Sequence, residues 1–516
     1  MMKALSIGWP SILVFILGCL SPLAFAPYHF WWLPILQFAG LFYCLESQKH
    51  SDTKLAFFFG LGWFFSGVNW VHISIDMFGG MPWLVSMLMV LLLAAYLALF
   101  PVLAVWLARY LGQHNHTRLL IIPFTWLLAE WLRSWVLTGF PWLSVGYSQL
   151  DGPLNALFPI VGEFGVNFVL IALIAWSVYL LKHKHRFVFK SDHRAKLIAA
   201  GLFGLVIVTV LSHFYSPYKE TNKQVALALV QGNIEQSNRW QPENMMPIVR
   251  KYMALSEPHY ADADIVIWPE AAIPIVEPYA QDILNQLDPI IAANQAALIT
   301  GIIDYHQRTA SYFNALVTLG LKQSADELGH YQYGHDNRFA KHHLLPIGEF
   351  VPFQSLLRKI APIFDLPHSS FKRGEYVQDN LIAKGYSLLP AICFEIVFAE
   401  QIAANLKDET DFILTVSNDA WFGDSVGPHQ HLQIARARAL EFAKPVVRVT
   451  NTGITAIIDA NGDIVEQLPQ FEDGVLTQRL ALPEGKSLYA QWQNKPMYYL
   501  MLLAFIAFVF RRYRQS

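Results

Sequence analysis

Charge is what this sequence has least of. Only 15% of its 516 residues are Asp, Glu, Lys or Arg, against about 25% in an ordinary soluble domain. Net charge is −2, so nothing suggests nucleic acid, and none is expected as a partner. Cysteine is scarce as well. Cys19, Cys44 and Cys393 are the three, with no CxxC pair, which excludes a zinc ribbon and a disulfide scaffold. No phosphate-binding glycine loop, internal repeat or low-complexity stretch is present. No metal cluster is visible, and no cofactor is implied.

Apolar residues fill the deficit: 54% of the chain, with a mean hydropathy of +0.33. They are not spread evenly. Before residue 215 the sequence holds seven runs near the length needed to cross a bilayer, and an eighth lies at the end. The expected spans are 7–26, 29–45, 55–75, 83–108, 119–137, 159–181, 196–214 and 497–511. Lys and Arg alternate with them: Lys3, then Lys49 and Lys54, then Arg109 and Arg118, then the cluster from Lys182 to Lys196, and finally Arg511, Arg512 and Arg514. The intervening loops near 27, 76–82 and after 137 carry none. Basic loops stay cytoplasmic, so the pattern predicts eight crossings, both termini inside, and residues 215–496 outside the cytoplasm.

Residues 1–26 have the form of a signal peptide ending Ala24-Phe25-Ala26, but Pro27 disfavours cleavage and a further apolar run follows at once. Ile16-Leu17-Gly18-Cys19 has the form of a lipoprotein processing box; a cysteine inside a membrane helix is the simpler reading. Glu130 and Arg133 share a helical face in the fifth span. They are either a functional pair at membrane depth or an interfacial pair steadying the helix beside Trp131 and Trp135. Glu163 leaves the same two readings open. His114, His116, His183 and His185 fall in basic loops and read as solvated.

From about residue 223 the pattern changes. Short apolar runs at 225–230, 265–268, 297–300, 388–392 and 412–416 read as buried strands, with amphipathic segments near 243–257, 280–294 and 428–443. This is an α/β pattern, in which sites form just beyond strand ends. Three such positions carry reactive groups: Glu270 after Trp268-Pro269, Lys341 opening the segment to Pro352, and Cys393 before Phe394-Glu395. Cys393 is the one cysteine in the extracytoplasmic part, where thiols are usually paired. It is either an inert core residue or a thiol kept free for reaction. A nucleophilic thiol needs a base and an oxyanion stabiliser; Glu270 and Lys341 supply those chemistries.

Glu, Lys and Cys in this order, each after a strand, resemble the nitrilase superfamily. Flanking segments narrow the resemblance to the apolipoprotein N-acyltransferase family: Val230-Gln231-Gly232-Asn233-Ile234 with Gln236 and Trp240, Trp268-Pro269-Glu270, Lys341 to Pro352, and Ser417-Asn418-Asp419-Ala420-Trp421-Phe422-Gly423. Gly427-Pro428 with His431, Arg436 to Glu441 and Thr450-Asn451-Thr452-Gly453 continue it. Thr138 to Trp142 and Gly146 to Gln149 extend it into the apolar part.

That resemblance implies a membrane bundle over 1–214, an α-β-β-α nitrilase sandwich over 220–490 and a C-terminal membrane helix over 497–511, at the periplasmic face of a bacterial inner membrane. It implies acyl transfer from a phospholipid, through a Cys393 thioester, to the N-terminal amine of a diacylglyceryl-modified lipoprotein. Glu270 would be the base and Lys341 the stabiliser of the tetrahedral intermediates, with a backbone N–H near Phe394 as a second donor. Glu349 and Glu395 would orient Lys341 or support the base, and Trp240 would contact substrate or gate entry. The family often has Tyr where Phe394 stands, so any hydroxyl role is lost there. Trp240, Trp268, Phe350, Phe353, Trp421 and Phe422 are candidates to line a lipid entrance, with core packing as the competing fate. A membrane-anchored amidase sharing the same triad is the alternative activity.

Overall fold

The computed structural model describes residues 8–46, 51–112, 118–183, 193–323, 328–346, 348–350 and 371–515. His114, His116, His185 and Phe353 lie outside them. The chain forms two compact units: residues 1–217, 422–433 and 487–516 make the first, and 218–421 with 434–486 the second. Residues 422–433 lie inside the stretch expected for the sandwich, yet cluster with the first unit.

Each of the eight expected spans is helical in the first unit. The helices are Trp9–Cys19, Leu33–Leu45, Asp52–Gly67, the consecutive pair Trp83–Leu97 and Leu99–Gly112, Arg118–Arg133, Phe158–Lys182, His193–Ser212 and Lys495–Gln515. Among the described residues three helical stretches are long and apolar enough to cross a membrane. Asp52–Gly67 with Val71–Met77, bent by 59°, makes a fourth if that pair is one span. Leu84, Leu92, Phe203, Leu211, Leu503 and Ile506 are all exposed, an arrangement that suits hydrocarbon rather than water. Small residues set the packing. A Cβ on Gly18 would lie 2.2 Å from Phe59 O and one on Gly62 2.4 Å from Phe15 O, so only glycine allows these two helices to touch.

Glu130 and Arg133 are a buried ion pair. Arg133 also donates to the carbonyls of Phe140 and Trp142, the latter at 2.8 Å, while Ser144 Oγ donates to Glu130 at 3.1 Å. The pair thus ties the loop after its own helix back onto it. Cys19 is the last residue of the apolar helix Trp9–Cys19.

The second unit is two six-stranded sheets. Its strands are β1 (Gln224–Gln231), β2 (Ile265–Ile267), β3 (Ala297–His306), β4 (Ser311–Gly320), β5 (Arg338–Ala340), β6 (Leu381–Ala383), β7 (Tyr386–Ile392), β8 (Phe412–Ser417), β9 (Val446–Thr450), β10 (Ala456–Ile458), β11 (Ile464–Gln467) and β12 (Gly474–Ala481). One sheet has the order β12-β1-β2-β3-β4-β5 and the other β11-β10-β9-β8-β7-β6. The central strands of each run parallel, which explains their near-continuous apolar runs.

Side chains alternate across each strand. Val225, Leu227, Leu229, Ile265, Ile267 and Ile299 of the first sheet meet Leu388, Ile392, Leu414, Val416, Val447 and Val449 of the second in one buried core. The opposite face of the first sheet, with Ala228, Val230, Val266 and Leu298, is covered by Ile248, Val249, Tyr252, Leu284, Leu287 and Ile291. These come from the helices Pro242–Ser256 and Gln281–Ala293. Two packed sheets and a helical layer over the first are thus in place, and parallel strand ends of both sheets are available to build a site.

Candidate active site

Glu270 follows β2, Lys341 follows β5 and Cys393 follows β7. Their side chains converge although 71 residues separate the first two. Lys341 is 2% exposed, and its Nζ lies 3.3 Å from Glu270 Oε1 and 2.9 Å from Glu349 Oε2. Burial disfavours the ammonium charge, but the carboxylates of Glu270 and Glu349 outweigh it and hold the Lys341 pKa well above its ordinary range. Lys341 is therefore a fixed cation at any working pH.

Glu270 is held from three sides. Asn314 Nδ2 donates to Oε1 at 2.7 Å, Lys341 donates to the same oxygen, and the backbone N–H of Asn418 donates to Oε2 at 2.9 Å. Asn314 Nδ2 also donates to Glu349 Oε1 at 3.0 Å, spacing the two carboxylates. Behind Glu270 lies the guanidinium of Arg239, which is 2% exposed. It donates to the carbonyls of Glu270, at 2.6 Å, and Ala271. Ala271 has φ +45°, a left-handed conformation costly for a residue with a Cβ, and Arg239 secures that turn.

Cys393 also sits in the left-handed region, at φ +54°, where β7 ends and a short 3-10 helix, Cys393–Val397, begins. Burial, reinforced by the negative charge of Glu270, pushes its thiol up to about 12, against the opposing pull of Lys341. The resting sulfur is a neutral thiol. Ionising it alone would add an anion beside two carboxylates balanced by one ammonium. Passing its proton to Glu270 as it attacks leaves the net charge of the cluster unchanged.

Glu395 is fully buried and reaches neither Glu270 nor Lys341 Nζ by a direct hydrogen bond. It accepts the backbone N–H groups of His342 at 2.8 Å, His343 at 3.0 Å and Ile392 at 2.9 Å, and Gln401 Nε2 at 2.7 Å. It joins the segment carrying Lys341 to the one carrying Cys393 through main chain. Phe394 is buried against Phe398 and His343. Trp240 is partly exposed, with the Arg239 guanidinium 5.8 Å from its ring, and Trp421 is partly exposed too. Phe350 is half-buried, with Arg373 over its ring.

Two of the aromatics considered for an entrance belong elsewhere. Trp268 is fully buried in the helix-covered core and donates its indole N–H to Ser256 Oγ at 2.7 Å; its place in the strand alternation turns it away from the site. Phe422 is buried, packed on Trp70 with ring centroids 4.6 Å apart. Asn314 and Arg239 are the residues that motif reading missed. Asn314 lies in mid-strand, where nothing in the sequence separates a site amide from a surface one. Arg239 was hidden beside the more conspicuous Trp240. Among the described residues no three His, Cys, Asp or Glu are grouped to hold a metal ion.

Comparison with known proteins places the chain in a family. Residues 17–177 match the family model of the apolipoprotein N-acyltransferase N-terminal domain, and 226–489 that of carbon-nitrogen hydrolases. An apolipoprotein N-acyltransferase of Shewanella oneidensis is 44% identical, the match covering 98% of this chain and 96% of that protein. One from Vibrio cholerae is 43% identical over 97% and 96%. Among solved structures, a CN-hydrolase superfamily protein of Xanthomonas campestris is 20% identical, covering 54% of this chain and 97% of its own, with a TM-score of 0.36.

Proposed function

Since the chain belongs to the apolipoprotein N-acyltransferase family, we propose that this membrane enzyme transfers a fatty acyl chain from a phospholipid to the α-amine of an N-terminal diacylglyceryl-cysteine, through a thioester on Cys393. The observation that carries the mechanism is the buried Glu270–Lys341 pair, 3.3 Å apart, acting electrostatically on the Cys393 thiol. Glu270 takes the thiol proton as the sulfur attacks the ester carbonyl. Lys341 faces the negative charge that develops on the carbonyl oxygen, a preorganised stabiliser in a site shielded from water. Collapse breaks the ester C–O bond. Glu270 returns the proton to the departing lysophospholipid oxygen, and an acyl-enzyme remains. The acceptor amine then attacks the thioester, Glu270 takes a proton from it, and the sulfur leaves and takes that proton back from Glu270 to restore the thiol.

Glu349 and Asn314 keep Lys341 and Glu270 in register, and Glu395 supports both strand ends. Trp240 and Trp421, beside the site segments and partly exposed, contact the lipid substrates. The eight helical segments cross the inner membrane of a bacterium with both termini cytoplasmic and the sandwich periplasmic; the distribution of Lys and Arg supports that orientation. The domain limits are 1–214, 220–490 and 497–511.

The test supplies the purified protein with phospholipid carrying an isotopically labelled acyl chain and a diacylglyceryl-cysteinyl peptide. The peptide should gain the mass of one labelled acyl chain. Release of ammonia from small amides with no acyl gain on the peptide would replace this reading with an amidase.

A further inference from the structure

Ser417 and Asp419 belong to a recognisable segment but have no part in the mechanism above. Their position gives them one. β7 and β8 run parallel with Ile392 paired to Val416, so Cys393 and Ser417 leave the second sheet as neighbours. Ser417 is fully buried, and a hydrogen bond from its hydroxyl would favour the Cys393 thiolate. The same hydroxyl donates to Asp419 Oδ1 at 2.6 Å. Asp419 Oδ2 in turn receives Arg448 Nη2 at 2.5 Å. Asp419 is 2% exposed and Arg448 not at all. Arg448 projects from β9 and is braced by its Nε on Ile454 O at 3.2 Å. A Cβ at Gly453 would fall 2.4 Å from Asp419 Oδ2, so the glycine leaves room for the carboxylate.

A buried ion pair without a surface role is weak support for stability alone. Here it ends on a hydroxyl with one proton and two acceptors, a carboxylate and a sulfur. While the sulfur is a neutral thiol, the carboxylate is the stronger acceptor and takes the proton, as its 2.6 Å bond records. Once the thiol proton passes to Glu270, the sulfur is anionic and competes for it. Arg448 keeps Asp419 satisfied when the hydroxyl turns away.

We propose that Ser417 is a further catalytic residue, a hydrogen-bond donor to the Cys393 sulfur, oriented by the Asp419–Arg448 pair, that stabilises the sulfur anion as it attacks and again as it leaves. No bond to Ser417 is made or broken; the thiol proton still goes to Glu270. The inference rests on the reading of Cys393 as the nucleophile. The charged groups that act on that sulfur are Glu270, Lys341 and Asp419, with Glu349 behind Lys341 and Arg448 behind Asp419.

The test uses the full chain in detergent. Iodoacetamide alkylation of the Cys393 peptide is followed from pH 7 to 10, together with single-turnover discharge of the acyl-enzyme by a diacylglyceryl-cysteinyl peptide. A hydrogen bond to a charged group carries about a tenfold effect or more. Ser417→Ala should therefore alkylate roughly tenfold more slowly at each pH below the thiol's ionisation, and discharge about as much more slowly; Ser417→Thr should restore both. Asp419→Asn, a weaker competitor for the hydroxyl proton, should move alkylation the other way, to faster rates. A folded Ser417→Ala protein with the wild-type pH profile and discharge rate overturns the proposal. Should Ser417→Ala not fold because Asp419 is left without its donor, the Ser417→Ala/Asp419→Asn double variant decides against Asp419→Asn alone: slower alkylation in the double variant supports the donor role, and equal rates overturn it. Cys393→Ala is carried beside them, because an acyl-enzyme surviving in that variant would remove the nucleophile assignment itself, whatever Ser417 does.

Discussion

The carboxylate of Glu270, at the end of β2 in one sheet, accepts the backbone N–H of Asn418, at the end of β8 in the other, at 2.9 Å. The candidate base is thus held by main chain across the sandwich and need not reorganise to act. Glu270→Gln keeps the size of the side chain but removes the base and sets an amide N–H₂ against the donors Asn314, Lys341 or Asn418. Acyl-enzyme formation should fall about 10²- to 10⁴-fold, with the fold retained by circular dichroism. Activity within a factor of three of wild type would show that another group takes the thiol proton.

Lys341 pairs with both Glu270 and Glu349. Lys341→Met leaves two buried carboxylates without it. Removing one partner of such a pair costs about 3–5 kcal/mol, so the variant should unfold at lower denaturant as well as lose acylation. The raised pKa of Lys341 sets the pH sign. Its stabilisation is fully present below the ordinary lysine range and is lost only as pH rises through the higher folded value. Denaturation of the wild type between pH 6 and 9 should therefore show no contribution from this group, and a loss of stability in that window that disappears in Lys341→Met would refute the assignment.

Glu395 accepts the backbone N–H groups of His342, His343 and Ile392. Glu395→Ala orphans all three, at about 1–3 kcal/mol each, and should lower the unfolding midpoint and acylation together. Glu395→Gln keeps an amide oxygen for part of the set and should fall between. An alanine variant of wild-type stability but no activity would instead make Glu395 a participant in the chemistry.

His335 lies away from the site, against Tyr331 and His330. Burial, then repulsion by His330 and Arg338, pushes its pKa from 6.5 down to about 4. Between those values the unfolded chain binds a proton that the folded chain excludes, so stability falls as pH drops through this window. His335→Phe should flatten the dependence of the thermal midpoint between pH 6.5 and 4. An unchanged slope relative to wild type would mean that His335 titrates normally in the fold.

Much of this architecture is legible in the sequence because the signals are periodic or positional. The expected strand at 412–416 is β8, and the amphipathic segment near 280–294 is the helix Gln281–Ala293. Glu270, Lys341 and Cys393 were found through their places after strands. The partners of Glu270 were harder to see. Asn314 faces the site from the middle of β4, and only strand pairing in three dimensions tells it from other amides. For Trp268 the sequence leaves entrance and core open, because closeness to Glu270 says nothing about which face of the strand end it takes; alternation sends it into the helix-covered core. Glu395, expected to orient Lys341 or support the base, accepts main-chain N–H groups of His342, His343 and Ile392, a contact that leaves no residue pattern.

The central claim is that Cys393 carries the acyl chain. The most direct measurement is intact mass spectrometry of the purified protein after incubation with phospholipid and no acceptor, beside Cys393→Ala. The account predicts one fatty-acyl increment on the wild type, absent from the variant and discharged by a diacylglyceryl-cysteinyl peptide. A folded wild type that gains no acyl mass, yet acylates the peptide when donor and acceptor are present together, would contradict the thioester and require direct transfer between the two lipids.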